Sequence, residues 1–170
     1  MLQRLDLDQP DATESVWNKA KELQLINQLR LQFEALAPLH PLTAVLLPEL
    51  CSKYGQHERS LFKFLSSTDE GSLQWLIQSG ELVDGWVMPW HLYDYFLASA
   101  GSTSALPSLA QRWIEIQTRL RDAVGLIEFE LEILKTIGLL NLCSSSGIVR
   151  ANRDILSWIL ESRESETYSL

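Results

Sequence analysis

Apolar residues recur in steps of three and four along nearly the whole chain, and no stretch alternates convincingly with a period of two. That periodicity admits helices and leaves little room for a sheet. From Thr13 to Leu36 the set Val16, Trp17, Ala20, Leu23, Ile26, Leu29, Phe33 and Leu36 makes one continuous stripe. Thr13 or Ser15 suits its cap, and Pro38 stops it. Pro41 suits the first turn of a second helix, whose interior Pro48 is expected to kink or divide it. Shorter helices are expected over Gln56–Ser66 and Ser72–Gln78, the second ended by Gly80.

Residues 80–90 (GELVDGWVMPW) are the least helical part, and their large apolar side chains favour an ordered loop lying over the core. Pro89 then opens a helix through Leu97. Helices to Asp122, from Leu126 to Leu142 and from Asn152 to Glu161 complete the pattern, with Gly147–Arg150 short enough for one brief strand. The expected fold is all-α, with about eight helices in an irregular bundle. Its organisation reads as a helical bundle over 1–98, a Gly/Ser/Thr/Pro linker over 99–108 and a C-terminal helical part over 109–170.

The 170 residues suit one ordinary domain, and 46% apolar content supplies a real core. Twenty-two acidic residues against 14 basic ones give a net charge of −8, which argues against a chain that coats nucleic acid or anionic lipid. The N-terminal MLQRLDLDQPD has no apolar stretch of the kind a signal peptide needs. The longest uncharged runs are broken by Pro, Gly or Ser and fall short of the roughly 18 apolar residues of a membrane span. Cys51 and Cys143 sit in apolar surroundings without CxxC spacing, so two buried free thiols in a reducing cytoplasm are expected.

Phosphate-binding loops need closely spaced glycines and a GK[ST] ending, and the eight glycines here are widely separated. There is no GxSxG elbow and no HExxH. No catalytic residue, metal ligand set or cofactor of the chain's own is therefore expected. His91 and Asp94, three apart, could share a metal, but no second ligand cluster accompanies them, and the plainer reading is that they flank the core-facing Trp90, Tyr93 and Phe96. Arg59, at a helix start, either makes an ordinary surface ion pair or reaches a phosphate on a neighbouring domain or chain. Arg112, Arg119, Arg121, Arg150 and Arg153 fall among many acids, which favours a mixed-charge surface over a nucleic-acid face. Among the six tryptophans, Trp86 and Trp90 in the irregular segment are the pair suited to a binding surface.

Four pieces, in order, carry a resemblance: HPLTAVLLPELCSKYGQHERSLFKFLSS, WHLYDYFLAS, RWIEIQTRL and LEILKTIGLLNLCSSSGIVRAN. Together they resemble the helical region that follows the ATPase core in large bacterial ATP-binding proteins of the P-loop class. The resemblance covers residues 39–155. It implies a non-catalytic helical lid or regulatory module (AAA-like in setting) that couples nucleotide state to a partner. The P-loop core would sit in the same or another chain, and ATP would be met only through it. Arg59 becomes the nucleotide-sensing candidate, and Trp86, Trp90, Arg150 and Arg153 the interaction candidates. The last two helices would open a winged helix that continues past Leu170. This chain departs from the pattern in lacking the phosphate-binding module. A stand-alone helical protein–protein adaptor is the alternative, and a small helical enzyme using His91, Asp94 or Glu58 a third reading. Self-association stays open under each.

Overall fold

The computed structural model describes residues 10–23, 36–54, 58–98, 107–143 and 150–167. These residues are all-helical: α1 (Pro10–Glu22), α2 (Pro41–Tyr54), α3 (Glu58–Ser66), α4 (Leu73–Ser79), α5 (Pro89–Tyr93), α6 (Pro107–Asp122), α7 (Glu128–Cys143) and α8 (Arg153–Thr167). The first helix begins at Pro10, so Thr13 and Ser15 lie inside it and not at its cap, and neither Leu23 nor Leu36 is in an α-helix. Residues 24–35, the expected strand over 147–150 apart from Arg150, and most of the 99–108 linker lie outside the described residues.

At the centre lies α2. Leu42, Thr43, Ala44, Val45, Leu46, Leu47, Leu50 and Cys51 are all buried, so this helix is covered on nearly every side, as an apolar helix must be. Around it pack α1, α3, α5 and α7. Of the two expected effects, kinking or division, Pro48 does not divide the helix, which runs unbroken through it. Its ring sits on the exposed strip of α2, and burial of the turns on both sides outweighs the one hydrogen bond that proline forfeits. The entry into α2 is made by His40: its backbone N–H donates to the Val87 carbonyl at 3.1 Å, and its Nδ1 accepts from the Leu42 N–H at 3.3 Å. At the far end Lys53 pairs with Glu49 at 3.4 Å and donates to the Cys143 carbonyl at 3.1 Å, satisfying the last turn of α7.

Several helix ends follow the expected local chemistry. Ser72 caps α4 by accepting from the Trp75 N–H at 3.4 Å, and Gly80 closes it in the left-handed conformation at φ 77°. Asn152 caps α8 through Oδ1 on the Ile155 N–H at 2.9 Å. The expected helix from Pro89 to Leu97 widens instead into a π-turn over Asp94–Ala98.

The segment after α4 is an ordered turn. Val83 and Trp86 exchange backbone hydrogen bonds of 3.1 and 2.8 Å, with Asp84 and Gly85 both at positive φ between them, the arrangement an Asp-Gly pair favours. Val87 then bonds to the Pro38 carbonyl at 2.7 Å and bridges in parallel with Leu39. These short bridges fall well below a sheet, but they fix Trp86 against His40.

One apolar cluster draws on every helix from α1 to α8, including side chains on both sides of residues 99–108. Where α6 crosses α7, a Cβ on Gly138 would fall 2.7 Å from Ile116 Cγ2, so the two helices touch at a distance only glycine permits.

Candidate functional site

Two regions stand out, one buried and one projecting. The buried one is aromatic. His40 is wholly enclosed, its ring 4.4 Å from Trp158 of α8 and 6.2 Å, edge-on, from Trp86. Trp86 in turn meets Trp17 of α1 at 6.2 Å, also edge-on. Because Nδ1 accepts the Leu42 N–H, the ring proton sits on Nε2, which has no hydrogen-bond acceptor among the described residues. Burial pushes His40 down to about 3, and no neighbouring charge contributes. A desolvated cation against an indole face gains about 2 kcal/mol. Burying an unpaired charge costs several kcal/mol, so the ring stays neutral.

The projecting region is the α6–α7 hairpin. On α6 only Trp113 is buried among residues 111–122, and no residue of α7 before Thr136 is fully buried. The outer half of the hairpin is therefore only partly buried, with Leu120 and Ile133 resting on the edge of the core. Its turn carries Val124, 91% exposed, with Leu126 and Ile127, the latter 64% exposed. The turn is built rather than slack. Val124 N–H donates to the Asp122 carbonyl at 2.8 Å, Gly125 adopts φ 90°, and Glu130 Oε2 accepts from the Ile127 N–H at 3.1 Å to cap α7. Arg119, Arg121, Asp122, Glu128 and Glu130 surround it, all exposed. Contiguous apolar side chains on an ordered, polar-rimmed turn have the make-up of a protein-contact point.

The residues singled out from sequence fall elsewhere. Arg59 is exposed on the first turn of α3. Arg150 and Arg153 are exposed at the entry to α8. Trp86 and Trp90 are each 3% exposed, which corrects the expectation that they form a binding surface: the Asp-Gly turn folds Trp86 inward, and Trp90 on α5 packs 5.7 Å from the His91 ring.

His91 and Asp94 are each committed inside the fold. His91 Nδ1 accepts from the Met88 N–H at 2.9 Å, and a further hydrogen bond joins the ring to the Glu81 backbone. Burial, aided by the charge of Lys135, pushes His91 down to about 4. The Asp94 carboxylate holds Lys135 at 2.7 and 2.8 Å. No group of three or more potential metal ligands occurs among the described residues. Cys51 and Cys143 are buried free thiols, pushed by burial to about 11 and about 12, so neither supplies a thiolate nucleophile near neutrality. No described helix is long and apolar enough to cross a membrane.

The hairpin tip was missed in the sequence because Val124, Leu126 and Ile127 continue an apolar pattern that reads as buried. The signal was there: three apolar residues around Gly125, between Asp122 and Glu128, fall in a turn and not on a helix face. Comparison with protein families, with curated proteins and with solved structures found no match to this chain.

Proposed function

We propose that this protein is a non-catalytic helical regulatory module that docks on a P-loop ATP-binding partner and responds to its nucleotide state. The observation that carries the docking part is the apolar, ordered tip at Val124, Leu126 and Ile127. A helical module that serves another protein needs an exposed apolar contact point, and this tip supplies one. The nucleotide part rests on the resemblance over residues 39–155 and on Arg59, whose exposed position on α3 leaves it able to meet a partner's phosphate. In this reading the chain works in the cytoplasm, binds no cofactor of its own, and α7 with α8 corresponds to the opening of a winged helix. A stand-alone adaptor would use the same tip without regard to nucleotide.

The test is a titration of this chain with a P-loop core from its own or a neighbouring reading frame, with and without a non-hydrolysable ATP analogue. Nucleotide-dependent binding is expected, weakened at least tenfold by Val124→Asp with Ile127→Asp, with Arg59→Ala removing the nucleotide dependence. Binding indifferent to nucleotide would favour the adaptor. Tight ATP binding by this chain alone would overturn the proposal.

A further inference from the structure

Among the described side chains, those that α8 buries in the bundle are Ile155, Trp158 and Ile159. Trp158 rests on His40, the residue that also opens α2 and meets Trp86. One imidazole thus stands where α2, α8 and the 83–87 turn converge. Both of its nitrogens are set for the neutral ring. A second proton on Nδ1 would point at the Leu42 N–H in place of accepting from it, and Nε2–H already lacks an acceptor among the described residues. The buried Thr43 hydroxyl, on the first turn of α2, makes no bond to it.

Charged groups on the packed elements are exposed or partly buried in ion pairs of their own. On α1 Lys19 pairs with Glu22 at 3.1 Å, and Glu161 and Asp154 of α8 add their attraction to Lys19. On α2 Lys53 pairs with Glu49. Cys51 is a buried neutral thiol on the same helix. Glu81 and Asp84, flanking the 83–87 turn, are exposed. None of these shifts His40, whose neutrality comes from enclosure alone.

We propose that His40 is an acid-sensitive latch: it clamps α8 on the bundle while its ring is neutral, and taking up a proton releases α8 with Trp158. The proton can bind only when α8 lifts and water reaches the ring, so acid pulls the opening equilibrium forward. With an ordinary histidine pKa of about 6.5 in the open state, opening rises about tenfold at pH 5.5 and about thirtyfold at pH 5.0, relative to pH 7.5.

Amide hydrogen exchange on the full chain, corrected for intrinsic rates and read between pH 7.5 and 5.0, tests this. Opening of α8 amides is expected to rise by those factors while the Leu139–Leu142 amides of α7 stay protected. His40→Asn keeps an acceptor for the Leu42 N–H but cannot titrate, and His40→Phe keeps the ring contact with Trp158. Either variant that folds is expected to flatten the α8 profile. An α8 opening constant that does not change with pH in the wild-type chain would overturn the latch. So would joint opening of α8 and α7, or a pH dependence that survives in both variants.

Discussion

The centre of the molecule and the tip of its hairpin are built from the same kinds of residue to opposite ends. Around α2, Leu, Val and Trp side chains are shut away from water, and even a histidine is held neutral there. At the tip, Val124 and Ile127 are presented to water on a turn fixed by Gly125 and Glu130. Composition does not separate the two regions. What separates them is whether a second helix lies within reach of the exposed face. α2 is covered on nearly every side, whereas the outer half of α6–α7 is mostly exposed and leaves Val124, Leu126 and Ile127 open to water.

The sharpest way to press that contrast is deletion at the centre. Leu46→Ala is expected to destabilise by about 2–5 kcal/mol, measured by denaturant unfolding, since the lost side chain leaves a cavity in a fully packed helix. Acid acts next. His40 and His91 are held neutral by burial, at about 3 and about 4. The unfolded chain therefore binds more protons than the folded one below the ordinary histidine value. Stability should be level between about pH 6.5 and pH 8 and fall as pH drops toward those folded values, by about 1.4 kcal/mol per pH step for each buried histidine. Equilibrium unfolding at several pH values checks the sign, and a rise in stability on acidification would contradict it.

A smaller effect is expected at the base of the hairpin. Gly138→Ala gains helix propensity but drives a methyl group into Ile116, and crowding should win by about 1–2 kcal/mol, lowering the melting temperature. Least affected should be the tip itself. Val124→Ser with Ile127→Ser is expected to leave stability within about 0.5 kcal/mol of the parent, because little packing is lost. Marked destabilisation there would mean the tip is part of the core after all.

Much of the helical order was legible in the sequence. The period-3.6 stripes, the Gly80 stop and the Pro41 and Pro89 starts all act within a few residues, and local physics reads them well. Three features were not legible because they depend on neighbours distant in the chain. Pro48 is tolerated because packing on both flanks sustains α2. The π-turn at Asp94 coincides with the grip of Lys135, 41 residues further on. Trp86 reads as a loop side chain until the bridge to Leu39 brings it over His40. His40 itself read only as the residue before a helix-opening proline.

The sheathing of α2 has a consequence for how the polypeptide can be handled. Its coat is stitched from stretches far apart in the chain, α1, α3 and α5 before residue 99 and α7 after residue 107. Severing the backbone between them and separating the pieces would strip an oily flank bare. The fragment keeping α2 should then clump or lose its shape, and mixing it with its complement should restore a soluble particle.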